Sequence, residues 1–113
     1  MNSDELNQII LSFFEQIVKY YGCKTEIAEG LFIQKPNFDS DFTTWSLSEF
    51  ELKQSAYRTN GERFMLEGKN MYYEISAKNI IELKQSGRNK FEFIEQYSET
   101  VFRITKVRFH YKY

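Results

Sequence analysis

One cysteine, one histidine and one proline in 113 residues close several classes of chemistry at the outset. With Cys23 alone, no internal disulfide can form, which fits a reducing compartment and leads us to expect a cytoplasmic protein. Cys23 and His110 together fall short of any usual metal-ligand set, so no metal and no cofactor are expected. A Cys–His nucleophilic pair would require the two ends of the chain to meet. The five glycines are scattered at turns, and none clusters ahead of a helix as a phosphate loop demands. No stretch approaches the roughly 20 apolar residues that span a bilayer. The opening MNSDELNQ carries no basic region, so neither a membrane anchor nor a signal peptide is expected. Two carboxylate pairs, Glu49 with Glu51 and Asp39 with Asp41, sit at strand and loop positions that read as exposed, whereas acid–base chemistry needs buried carboxylates.

What the chain does have is a helix written in full. From Ser3 to Tyr21, the residues Leu6, Ile9, Ile10, Phe13, Phe14, Ile17, Val18, Tyr20 and Tyr21 recur at three- and four-residue steps. Ser3 suits the N-cap, Asp4 and Glu5 suit the positive end of the dipole, and Gly22 suits a left-handed closing residue. Each large side chain on such a stripe is worth roughly 1.5 to 3 kcal/mol when buried, so the rest of the chain must cover it.

That remainder reads as strands. Lys24 to Lys35 is expected to form a tight hairpin around Glu29-Gly30, stopped by Pro36. Asn37 to Asp41 then reads as a polar turn carrying Phe38. Phe42 to Tyr57 carries capping-box signals for a helix, but Asn60-Gly61 favours a hairpin flanked by strands at Glu51 to Thr59 and Glu62 to Glu67. Met71 to Ser76, Ile80 to Lys84 and Phe91 to Gln96 continue as a meander with short polar turns. In Thr100 to Tyr113 the apolar alternation changes phase, which predicts a bulge near Thr105-Lys106. One helix on a curved, mainly antiparallel sheet makes this a single α+β domain over residues 1–113. The arrangement resembles cystatin-like and NTF2-like folds, and the late meander resembles bacterial PH-like half-barrels.

Charge is unevenly spread. Residues 1 to 51 hold nine acids against three lysines, giving −6, while the whole chain sums to −1. Carboxylates interleaved with rings suit docking of a protein with a basic surface, so Phe38, Asp39, Asp41, Trp45, Glu49 and Glu51 are the expected partner-binding residues. The C-terminal cations Arg103, Lys106, Arg108, His110 and Lys112 suit phosphate or an acidic partner, or guard an edge strand against unwanted pairing. A near-neutral total argues against nucleic acid as a partner, and self-association into a homodimer stays open. The expected function is a non-enzymatic protein-binding module, of the kind found among small inhibitors, immunity proteins and chaperones. The alternative is a small-ligand carrier or NTF2-like enzyme with a pocket between helix and sheet, lined by Tyr72, Tyr73 and Trp45.

Overall fold

The structure is a computed structural model that describes residues 3–33, 43–58 and 61–110. Helix α1 (Ser3–Gln16) runs into a single 3-10 turn, Ile17–Tyr20. Ile10, Phe13, Ile17 and Tyr20 are buried, with Leu6 and Phe14 packed beside them. Ile9 and Val18, expected on the same stripe, are exposed. The buried stripe is narrower than the apolar one, and the tighter 3-10 turn rotates each residue further than an α-helix does, which carries Val18 outward. Gly22 adopts φ 87° and ends the segment as expected, and its N–H donates to the Leu52 carbonyl at 2.7 Å.

Among the described residues eight antiparallel strands follow: β1 (Lys24–Ile33), β2 (Thr43–Glu51), β3 (Gln54–Arg58), β4 (Arg63–Gly68), β5 (Met71–Ser76), β6 (Ile80–Gly87), β7 (Lys90–Gln96) and β8 (Val101–Phe109). They form a five-stranded sheet in the order β2-β1-β8-β7-β6 and a three-stranded sheet in the order β3-β4-β5. Strands consecutive in sequence thus follow one another around the molecule. Among the described residues the ladder is interrupted between β2 and β3 and between β5 and β6, so no barrel closes. At the first corner Leu52 is wholly buried, its N–H donating to Cys23 O, while Lys53 N–H donates to Glu67 O. A Cβ on Gly68 would come within 2.7 Å of the Phe50 ring and 3.0 Å of the Glu51 carbonyl, so only glycine lets the end of β2 pass this close. The second corner is a short 3-10 turn, Ala77–Asn79.

Several local expectations are corrected by this topology. Lys24 to Ile33 is one unbroken strand rather than a hairpin at Glu29-Gly30. Gly30 lies opposite Trp45, whose ring would be 2.9 Å from a Cβ there, so this glycine makes room for a neighbouring ring instead of a turn. Of the segment Phe42 to Tyr57, the part from Thr43 does hold strands, broken at Leu52-Lys53, and Phe42 lies outside the described residues. The hairpin before β4 is present, with Arg58 opposite Arg63 and positive φ at Gly61 and Glu62. Asn60 lies outside the described residues, as do Pro36 and the expected turn from Asn37 to Asp41.

The largest correction concerns β8. Its register runs without a shift from Thr25 opposite Phe109 to Ile33 opposite Val101, so there is no bulge at Thr105-Lys106. The phase change arises because the strand is apolar on both faces: Val107 and Phe109 are buried inward, whereas Phe102 and Ile104 are half-buried on the other side. Nor is β8 an edge that basic residues guard, because it lies between β1 and β7 at the centre of the sheet.

Rings fill the space between α1 and the sheets. Phe13 meets Phe14, Phe91 and Phe93 at centroid distances of 4.8, 4.8 and 5.1 Å, Phe14 stacks on Phe64 at 3.9 Å, and Tyr20 stacks on Phe109 at 4.1 Å. Such contacts add to the area that aromatic residues bury and let a small sheet complete a core.

Candidate binding face

Alternation along β1, β2, β7 and β8 turns one set of residues toward α1 and the other to a face that no described element covers. On the uncovered face the register sets Glu49, Glu26 and Arg108 in one row, Leu47, Ala28, Lys106 and Glu92 in the next, and Trp45, Gly30, Ile104 and Ile94 in a third. Ala28, Leu47, Glu26, Glu49, Lys90, Glu92, Lys106 and Arg108 line a trough of about 490 Å³ on this face. Leu47 is 81% exposed and Trp45 47%. The indole lies across Gly30, and the Lys106 ammonium sits 5.1 Å from its ring centroid, a cation–π contact.

Two groups of candidate residues therefore share one surface: Trp45 and Glu49 from β2, and Lys106 and Arg108 from β8. Glu26 stands between them, with its Oε2 3.2 Å from His110 Nε2 and 3.9 Å from Arg108 Nη1. His110 at this distance, together with Arg108 and Lys24, holds the Glu26 carboxyl below the ordinary glutamate value. Glu49 pairs with Lys24 at 3.2 Å, and Glu51 pairs with Lys53. On β7, Glu92 pairs with Lys84 at 3.0 Å and raises the lysine's pKa. Of the described N-terminal acids, Asp4, Glu5 and Glu15 lie on α1 and Glu26, Glu49 and Glu51 in these pairs, so the described residues present a face of alternating sign. Phe38, Asp39, Asp41 and Lys112 lie outside the described residues.

Arg103 belongs elsewhere, to a buried polar cluster that the sequence reading missed. Its Nε and Nη2 donate to Glu29 Oε2 at 3.1 and 2.8 Å, and its Nη1 donates to the Glu74 carbonyl at 3.0 Å and lies 3.5 Å from Glu95 Oε1. Glu95, with no exposed surface, accepts the Ser76 N–H at 2.9 Å and the Tyr97 hydroxyl. Tyr73 lies under the guanidinium, and its hydroxyl is 2.7 Å from Thr105 Oγ1. Burial pushes the carboxyl of Glu95 up, against the pull of Tyr97, Ser76 and Arg103. Burial also opposes the Arg103 charge, but Tyr73, Glu95, Tyr97 and Glu29 outweigh it and the pKa is raised. Glu74 and Ser76 lie on β5, which among the described residues has no strand beyond it, so Arg103 and Glu95 supply hydrogen bonds that a ladder between β5 and β6 would have made. A signal was present in the sequence: Glu95 continues the inward parity of Phe91 and Phe93.

Other candidate groupings do not come together. Cys23 is buried beside the start of β1, whereas the His110 imidazole meets Glu26 on the uncovered face. Tyr73 points into the cluster, Tyr72 is exposed on the opposite side of β5, and Trp45 lies on the other sheet, so the three rings line no common pocket. Among the described residues, no three His, Cys, Asp or Glu side chains are placed to hold a metal ion, and no helix is long and apolar enough to cross a membrane. Compared with protein-family models, with curated proteins and with solved structures, the chain finds no match.

Proposed function

We propose that this chain is a non-enzymatic protein-binding module, of an inhibitor, immunity or chaperone type, whose docking surface is the uncovered face of the five-stranded sheet. The observation that carries the reading is the pair Trp45 and Leu47, half and four-fifths exposed beside a trough rimmed by charge. Large apolar side chains left in water next to a concave surface are what a partner's anchor residues cover. Glu49 and Glu51 are more than half exposed despite their lysine partners, and they favour a basic group of the partner at the β2 side. Lys106 and Arg108 favour an acidic group across the trough. The Glu95–Arg103 pair is turned to the β5 backbone, where Arg103 meets the Glu74 carbonyl and Glu95 the Ser76 N–H.

Photo-crosslinking in cells tests this. A benzophenone side chain at Ala28 or Glu92, inside the trough, is expected to capture a distinct polypeptide that the same group at Leu11 on α1 does not. With the captured partner purified, Trp45→Ala is expected to speed dissociation and Glu49→Lys to slow association. Capture from α1 but not from the trough would overturn the reading.

A further inference from the structure

Charge is divided unevenly between the trough and its surroundings. In the register, Glu49 stands opposite Glu26 and Arg108 opposite Lys90, so one row across four strands carries two acids side by side and then two bases side by side. Like charges directly opposed on neighbouring strands repel. The acidic pair is relieved from outside: Lys24 lies 3.2 Å from Glu49, and His110 lies 3.2 Å from Glu26. Glu92, the third carboxylate of the lining, faces Lys106 across the ladder but pairs instead with Lys84 on β6, at 3.0 Å. Lys24, Lys84 and His110 all stand outside the lining.

The basic pair has no such relief. Among the described residues, Lys90 has no carboxylate at ion-pair distance, and Arg108 has Glu26 alone, at 3.9 Å. Lys106, two residues before Arg108 on β8, rests on the Trp45 ring, a contact that leaves its charge in place. All three cations are exposed and line the trough. Opposed and diagonal neighbours on adjacent strands have Cβ atoms roughly 5 to 8 Å apart, close enough for lysine and arginine side chains to converge on one group. Leu47 on β2 and Ala28 on β1 line the other end of the same trough. With strands about 4.8 Å apart, that apolar end lies roughly 10 Å from the basic one.

We infer that the trough receives an acidic segment of the partner protein, its carboxylate between Lys90, Lys106 and Arg108 and an apolar residue of the same segment over Leu47 and Ala28. The inference rests on the docking face proposed above and specifies which charge enters it. A carboxylate relieves the opposition of Lys90 and Arg108, whereas a basic group placed there adds a third cation to it and is confined to Glu49 and Glu51 at the outer rim. The preference inside the trough thus runs against the acidic excess of residues 1 to 51, because the acids of the lining are matched by cations beyond it and the bases are not.

Two blocked tetrapeptides, Leu-Gly-Glu-Glu and Leu-Gly-Lys-Lys, titrated into the full chain and followed by amide NMR, test the inference. The acidic peptide is expected to shift the Ala28, Lys90, Lys106 and Arg108 amides saturably, and the basic one to leave them in place. Lys106→Gln combined with Arg108→Gln, both at exposed positions, is expected to weaken the acidic peptide on the order of tenfold. Lys69→Gln, which removes a cation from the turn between β4 and β5, is expected to leave its affinity unchanged. A basic peptide that binds the trough as tightly, an acidic peptide that shifts other residues or none, or binding indifferent to the loss of Lys106 and Arg108 would overturn the inference. Crosslinking from Ala28 decides the docking reading separately: capture of a partner alongside any of these results removes the acidic segment and leaves the docking face standing.

Discussion

Toward α1, the five-stranded sheet presents Phe91, Phe93, Val107 and Phe109 in a core of interlocked rings; away from it, the same strands present Glu92, Lys106, Arg108 and the half-exposed Trp45. The inward face even encloses its charges, with Glu95 and Arg103 fixed by hydrogen bonds to β5, whereas the outward face leaves its ion pairs in water. Residues one apart on a strand thus experience opposite environments. On one side burial sets the behaviour of a side chain, and on the other its neighbours do.

The sharpest contrast is between two rings. Phe13→Ala is expected to leave a cavity costing about 3 to 5 kcal/mol, while Trp45→Ala is expected to cost about 1 kcal/mol or less, because half the indole is already solvated. Urea unfolding of both variants measures the two values. Equal losses would mean that Trp45 belongs to the core and that the uncovered face is not a surface at all.

A smaller effect separates the faces by pH. Burial raises the Glu95 pKa, so the fold favours its protonated form. The stability this contributes is fully present below the ordinary glutamate value of about 4.3 and is lost as pH rises through the folded value. The advantage of the wild type over Glu95→Gln is therefore expected to shrink from acid toward neutral pH. An advantage that grows with pH would show that the partners of Glu95, not its burial, govern it.

Glu26 should show the smallest effect and the opposite slope. His110 and the nearby cations lower its pKa, so its contribution is present above the ordinary glutamate value and lost as pH falls through the folded one. Comparing Glu26→Gln with the wild type across the acid range, in low and high salt, reads this slope. Salt is expected to flatten it, since the pair is solvated.

How much of this was legible in the sequence depended on the range of the interaction. The helix and its closing glycine rest on contacts a few residues apart, and both appeared where the periodicity and Gly22 put them. The strands from Met71 to Gln96 were equally local. Gly30 misled because the ring that occupies its side-chain space comes from Trp45 on another strand. The phase change in β8 misled because alternation reports one buried face, and a central strand with apolar residues on both sides has two. Trp45 and Glu49 were recognisable as candidates from their segment. That they share a face with Lys106 and Arg108 follows only from β1 pairing with both β2 and β8, a long-range register that no local pattern contains. Glu95 was visible as a carboxylate in an inward phenylalanine series, but its Arg103 and β5 partners were not.

The central position of β8 also constrains the order in which this molecule can be assembled. The three-stranded sheet is joined by short hairpins and can form as soon as residues 54–76 are available. The five-stranded sheet cannot, because β1 must close on a strand whose Arg103 lies 74 residues beyond its Glu29 partner. A loop of that length carries an entropy that only many simultaneous contacts offset. Until β8 inserts, β1 and β7 each present an unpaired side and the rings of α1 lack the Val107 and Phe109 surface on which they rest. The closing step of folding is thus the filling of a slot in the middle of a sheet, and a chain interrupted before residue 101 is left with two open edges more than the finished fold.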